Sequence, residues 1–241
     1  MSKIYEAVKK AAEEREHTRV WNPVRALAEA GCVPSEDPRE EEYQKLRASL
    51  LSVAVPAGLH TILITSSRHG EGATTVSLGL VTALAKERES RVLLVEGNYR
   101  RPSFSTLLPL TSNVGVADFA AGRAAPEAVV TRLEELNFSV IPAGSVPEQG
   151  TNVETVDVLL GCLQSQFDFI LIDATPVNDY ADASMLATKV DGVILVIEAD
   201  QTPVSEAEAA KRQLDKVGAR VLGVVLNRRR SYIPAFLESI L

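Results

Sequence analysis

Short apolar runs alternate with helix-length amphipathic stretches along most of this chain. From residue 58 onward the runs are His60–Thr65, Arg91–Glu96, Phe138–Pro142, Phe167–Asp173, Gly192–Glu198 and Val221–Asn227. Several are apolar throughout rather than alternating, which is the pattern of parallel strands covered on both faces. Helical spacing is predicted between them near Thr74–Glu87, Pro126–Leu136, Asn152–Gln166, Ala181–Thr188 and Ser205–Val217. Upstream, Ser2 can cap a helix to about His17, with Ile4, Val8 and Ala11 or Ala12 as one apolar stripe. Asn22-Pro23, Gly31, Pro34 and Asp37-Pro38 interrupt residues 18–37, an irregular linker. A second helix is predicted over about Arg39–Val53, with Tyr43, Leu46, Leu50 and Leu51 on one side. The organisation read from this is residues 1–57 as N-terminal helices and linker, and 58–241 as the main domain. Its fold class is α/β, a three-layer α/β/α sandwich around a mostly parallel sheet with an N-terminal helical extension. Ligands in such sheets bind at the carboxyl ends of the strands.

Bulk properties narrow the function classes. The 241 residues carry a formal net charge of −7, so there is no overall attraction to nucleic acid or anionic lipid. Cys32 and Cys162 are far apart and outside any metal-ligand spacing, and read as small buried hydrophobes in a reducing compartment. His17, His60 and His69 form no cluster. No apolar run approaches the ~18 residues of a membrane span, and the charged start KIYEAVKKAAEEREH does not read as a signal peptide. The expected location is the cytoplasm.

The strongest local feature is Thr65-Ser66-Ser67-Arg68-His69-Gly70-Glu71-Gly72-Ala73-Thr74-Thr75-Val76, after a strand and before a helix. Such a turn points backbone N–H groups and a helix N-terminus at an anion. Gly70 and Gly72 permit close approach of a phosphate. Against the full phosphate loop GxxxxGK[ST], Ser67 replaces the first glycine, Gly72 is kept, Ala73 replaces the lysine and Thr74 keeps the hydroxyl. The same residues read G-x-G-x-x-T, with Glu96 about where a ribose-binding acid of a dinucleotide site would sit. A ligand-free βα turn is a third reading of the loop taken alone.

The rest of the chain bears on this choice. MSKIYEAVKKA, EEYQKLRASL, SSRHGEGATT, VLLVEGNYRRPSF, FDFILIDATPV, DASMLATKVDGVILVIEADQT and VLGVVLNR follow one another in order. In that order they resemble the bacterial tyrosine kinases (BY-kinases), P-loop autokinases of capsule and exopolysaccharide export. These kinases are related to the Min-type and Par-type ATPases with deviant Walker motifs. The loop resembles S-S-x-P-G-E-G-K-S-T, the next strand resembles V-L-L-I-D-x-D-x-R-R-P, and FDFILIDATPV resembles the Walker B segment Y-D-Y-V-I-I-D-T-P-P.

The resemblance implies a P-loop NTPase fold and ATP or ADP with Mg²⁺ as ligands. It implies a nucleotide site of Gly70, Glu71, Gly72, Ala73, Thr74, Thr75, Arg100 and Asn227. Glu96 and Asp173 are implied as catalytic, and Thr74, Glu96 and Asp173 as metal-binding. Arg68 stands where Min-type and Par-type ATPases carry a signature lysine, and reads either as the missing positive charge or as a solvated loop residue. Asn227 reads as an adenine contact or a strand-end cap. Arg100-Arg101 and Arg228-Arg229-Arg230 read as solvated surface or as contacts to phosphate or a partner, and Tyr43 as packing or a phosphosite. Glu41, Gln44 and Arg47 match the family's oligomer-interface helix E-x-x-R-x-x-R.

The departures fall on chemistry. The loop lysine is Ala73. The first aspartate of the second Walker motif is Glu96, and the second is Asn98. The middle arginine of the interface helix is Gln44, and after Asn227 there is a single tyrosine, Tyr232. A charge-assisted hydrogen bond is worth roughly 1.5–3 kcal/mol, so loss of the lysine slows turnover on the order of 10²-fold. The expected function is therefore a BY-kinase-like protein with a degenerate site, a regulatory or scaffold pseudokinase of exopolysaccharide or capsule assembly. Its expected partner is a membrane chain-length or export protein or a related kinase subunit, at the inner face of the membrane, with homo-oligomer formation open. The alternatives are a working ATPase or tyrosine autokinase using Thr74, Glu96, Asp173 and Arg68, and a Par-type or Min-type positioning ATPase.

Overall fold

A computed structural model describes residues 38–87, 90–145 and 153–229. The helix read over 2–17, the linker, Cys32, Arg230 and Tyr232 lie outside them. Among the described residues the chain forms a seven-stranded sheet in the order β3-β4-β2-β5-β1-β6-β7. The strands are β1 (Thr61–Ser66), β2 (Val92–Glu96), β3 (Thr131–Leu133), β4 (Phe138–Ile141), β5 (Phe169–Asp173), β6 (Gly192–Glu198) and β7 (Val221–Asn227). All pairs are parallel except β3 with β4. The helices are α1 (Pro38–Ala57), α2 (Ala73–Ala85), α3 (Phe104–Leu107), α4 (Val116–Ala120), α5 (Val153–Leu163), α6 (Ala181–Ala187) and α7 (Val204–Lys216).

The sheet is covered on both faces, as its apolar strands require. Leu63, Leu93, Val95, Ile170, Ile172, Val193 and Leu195 share one cluster with Val156 and Leu159 of α5, Leu186 of α6 and Leu214 of α7. By the two-residue alternation of a strand, Ile62, Ile64, Leu94 and Leu171 point the other way. There α2 packs on β1, β2 and β5, and α1 packs on α2.

Two expectations change. Cys162, read as buried, is exposed on α5. The α1 helix packs against α2. Leu50 and Ala54 are buried, and a Cβ on Gly79 of α2 would lie 2.2 Å from the Tyr43 ring. The α1 helix also runs past Val53 through Pro56, ending at Gly58 with φ 62°. The helix expected over 126–136 is instead a 3-10 turn at Pro126–Val129, strand β3 and a second 3-10 turn at Glu134–Leu136. Pairing with β4 decides it, with Thr131 opposite Val140 and Leu133 opposite Phe138. Asn137, at φ 56°, closes the hairpin.

Candidate nucleotide site

The loop between β1 and α2 is held in shape by its own side chains. The Glu71 carboxylate is fully buried and accepts from Ser67 N at 2.8 Å, Ser67 Oγ at 2.7 Å and Arg68 N at 3.0 Å. Thr202 Oγ1, beyond β6, donates to it as well. Asn227, at the end of β7, donates through Nδ2 to the Glu71 carbonyl at 2.8 Å. Gly70 and Gly72 have φ of 93° and 92°, and a Cβ on Gly72 would sit 2.2 Å from the Asn227 amide nitrogen. Both glycines are therefore required by conformation, and Gly72 by space as well. Among the described residues the amides of Gly70, Glu71, Gly72, Ala73, Thr74 and Thr75 donate to no protein group. They form a concave set of donors at the start of α2, the arrangement that receives a phosphate.

Two buried carboxylates stand beside the loop on neighbouring strands, Glu96 ending β2 and Asp173 ending β5, in register with each other. Asp173 faces the loop. Thr74 Oγ1 donates to its Oδ2 at 2.7 Å, and Ser77 Oγ lies 3.0 Å from its Oδ1. Burial lifts its pKa to about 7. The two hydroxyls oppose that rise and the neighbouring Glu96 charge adds to it. Glu96 is turned away. Its Oε1 accepts from Ser103 N and from Phe104 N at 2.8 Å, and its Oε2 accepts from Ala143 N at 2.9 Å. Burial raises its pKa also, and the three amides pull it back. The longer glutamate thus spans from the start of α3 to the chain leaving β4.

The implied cations are each engaged by protein partners. Arg68 reaches the Gln201 carbonyl at 3.0 Å and Glu206 at 3.5 Å, with Glu71 3.7 Å away. Arg100 pairs with Asp182 at 3.0 Å and lies over the Tyr180 ring. Arg101 contacts His69 Nε2 at 2.6 Å, at the tip of the loop. Ala73 is buried. On α1, Glu41 is exposed and pairs with Lys45, while Arg47 folds onto Glu87 of its own chain. Gln44 is half-buried. Tyr43 packs over Gly79, with its hydroxyl 3.4 Å from the Thr75 carbonyl.

The structure thus brings together Gly70–Thr75, Asp173 and Asn227, and directs Glu96, Arg68 and Arg100 elsewhere. It adds two residues that the motifs did not single out, Ser77 on Asp173 and Thr202 on Glu71, and gives Ser67 a part in holding Glu71. Ser77 was accessible from spacing, since it lies three residues after Thr74 on the same face of α2. Among the described residues, no cluster of three or more His, Cys, Asp or Glu could hold a metal ion. The donor set fits a phosphate group, with Thr74 and Asp173 beside it. Ala73 rather than lysine follows Gly72, and the Glu96 carboxylate is engaged by backbone amides.

A mostly parallel sheet with a glycine-rich loop between β1 and α2 is the fold of the P-loop NTPases. The chain resembles the solved MinD cell-division ATPase of Pyrococcus furiosus, with a TM-score of 0.62 and 28% identity over 75% of this chain and 78% of that one. Its resemblance to the solved VpsO kinase domain is 30% identity and a TM-score of 0.71, covering 80% of this chain and 97% of that domain. It is 28% identical over 191 residues to the putative tyrosine-protein kinase CapB of Staphylococcus aureus, 78% of this chain and 83% of that protein. The chain belongs to the bacterial tyrosine-kinase family. No protein-family model matches it. Among the described residues, no helix is long and apolar enough to cross a membrane.

Proposed function

We propose that this chain is a regulatory or scaffold member of the bacterial tyrosine-kinase family, acting in capsule or exopolysaccharide assembly without efficient phosphoryl transfer. Its partner is a membrane chain-length or export protein, or a related kinase subunit, at the cytoplasmic face. The observation that carries the reading is Glu96. The carboxylate at the position implied to work at the metal spends its lone pairs on the Ser103, Phe104 and Ala143 amides. With Ala73 also unable to supply the loop cation, two separate contributions to transition-state charge are missing.

Incubation with labelled ATP and Mg²⁺ tests this directly. The expected result is no phosphotyrosine on the chain. A strong signal abolished by Asp173→Ala overturns the reading.

A second reading, a nucleotide-responsive switch or slow ATPase, is favoured by the Thr74–Asp173 pair and the free loop amides. Calorimetric titration with ATP and ADP, with and without Mg²⁺, separates the two. Tight binding strengthened by Mg²⁺ supports the switch, and no binding at millimolar nucleotide supports the scaffold. Because Arg47 is occupied by Glu87 and the middle interface position is Gln44, the isolated chain is expected to be a monomer or weak dimer. Light scattering behind a sizing column checks this, and a stable eight-membered ring excludes it.

A further inference from the structure

Two arginines follow β2, and their partners differ. Arg100 is neutralised by Asp182 at 3.0 Å. Arg101 is exposed, and among the described residues no carboxylate forms an ion pair with it. Its guanidinium donates instead to His69 Nε2 at 2.6 Å. An arginine side chain has donors and no acceptor, so Nε2 is the lone-pair nitrogen of a neutral ring. The guanidinium is thus held in place without losing its charge.

The contact crosses the mouth of the site. In the sheet β5 lies between β1 and β2. His69 is on the loop after β1 and Arg101 on the loop after β2. The two side chains therefore meet across the carboxyl end of β5, where Asp173 holds Thr74. That end of a parallel sheet is where ligands bind. Gly70, next to His69, begins the run of amides that donate to no protein group among the described residues. The surroundings keep the charge of Arg101 in hand. Asn98 Oδ1 accepts from Arg101 N at 3.2 Å, a neutral amide where an aspartate would bring a negative charge. Asp179, the carboxylate at the loop tip, accepts from His69 N at 3.2 Å. A fixed cation therefore stands beside unspent N–H donors, in a loop that carries only the methyl of Ala73 where a lysine would be.

We propose that Arg101, positioned by His69, is the side-chain cation of this site and binds the phosphate oxygens of a nucleotide seated on the loop. The inference rests on the nucleotide-responsive reading above. Arginine suits the task because its planar fork can meet two phosphate oxygens while one N–H stays on His69. Arg101 adds affinity and no transfer, because Glu96 stays on its backbone amides.

The test is calorimetric titration of the full chain with ADP and with inorganic pyrophosphate, which lacks base and ribose. Arg101→Ala is expected to weaken both by about 10-fold. Arg101→Lys, which keeps the charge without the fork, is expected to fall between Arg101→Ala and wild type. Arg91→Ala, an exposed arginine at the other end of β2, is expected to leave both affinities unchanged. His69→Ala is expected to weaken both ligands, and His69→Gln, whose amide oxygen can accept from Arg101, to restore them. A loss confined to ADP puts Arg101 on the base or ribose and overturns the proposal. His69→Gln as weak as His69→Ala overturns the positioning by His69. Binding untouched by Arg101→Ala overturns the proposal alone, whereas a wild-type chain that binds neither ligand at millimolar concentration overturns the nucleotide-responsive reading with it.

Discussion

Glu96 and Asp173 are neighbours with the same charge, the same burial and adjacent strand ends, yet they serve opposite ends of the site. Asp173 is short, and its carboxylate stays where the hydroxyls of Thr74 and Ser77 meet it. Glu96 has one more methylene, enough to carry its carboxylate past the site to three backbone amides. Backbone donors fix a carboxylate more firmly than rotatable hydroxyls do, because the amides cannot turn to another acceptor. One carboxylate therefore remains poised toward the loop, and the other has become part of the framework.

That contrast can be broken most severely at Glu96. Glu96→Ala leaves three amides without an acceptor, two of them buried, and we expect a loss on the order of 3–5 kcal/mol in urea unfolding. Asp173→Ala leaves only hydroxyls that can reorient, and should cost clearly less. Equal losses would mean that the two carboxylates are structurally equivalent.

The next effect is a pH dependence carried by Asp173. Its carboxyl goes from 3.8 to about 7 on folding, driven by burial. A carboxyl raised in this way favours the folded state fully below the unfolded value, and the benefit is lost as pH rises through the folded value. Asp173→Asn imitates the protonated acid at every pH. It should be more stable than the wild type by about 2–4 kcal/mol at pH 8, and the gap should close as pH falls toward 4. A gap independent of pH would show that Asp173 is not the titrating group.

Smaller effects concern the loop. Ala73→Lys should raise nucleotide affinity roughly 10–100-fold, the value of one charge-assisted hydrogen bond. It should give no phosphotyrosine until combined with Glu96→Asp, which shortens the side chain and weakens its hold on Ala143. Transfer restored by the lysine alone would show that Glu96 can act from where it stands. Arg68→Ala should be the mildest change, at most about 1 kcal/mol in stability, because the guanidinium is itself partly exposed and buried Glu71, 3.7 Å away, keeps its bonds from Ser67, the Arg68 amide and Thr202. It should leave nucleotide affinity within about twofold. A larger drop in affinity would return Arg68 to the phosphate.

Much of this architecture could be read from the chain. The apolar runs located β1, β2, β4, β5, β6 and β7 to within two residues, most directly where strands buried on both faces leave an unbroken apolar record. Residues 126–136 misled, since Val129, Leu133 and Leu136 sit at helical spacing while pairing with β4 dictates an edge strand. The order of motifs paired Thr74 with Asp173, and in the structure the two side chains meet at 2.7 Å. It could not show Glu96 leaving the site, because that depends on Ala143, 47 residues away. Asn227 admitted two readings, and the structure has its amide on Glu71, a contact 156 residues apart that no local pattern encodes.

The Glu71 staple has a consequence for recognition. Ser67, Arg68 and Thr202 hold its carboxylate and Asn227 holds its carbonyl, so the loop is already shaped before any anion arrives. An anion arriving at such a loop has little ordering cost to offset, because the donors already stand in line. Loosening Glu71 would therefore weaken anion binding without removing a single donor.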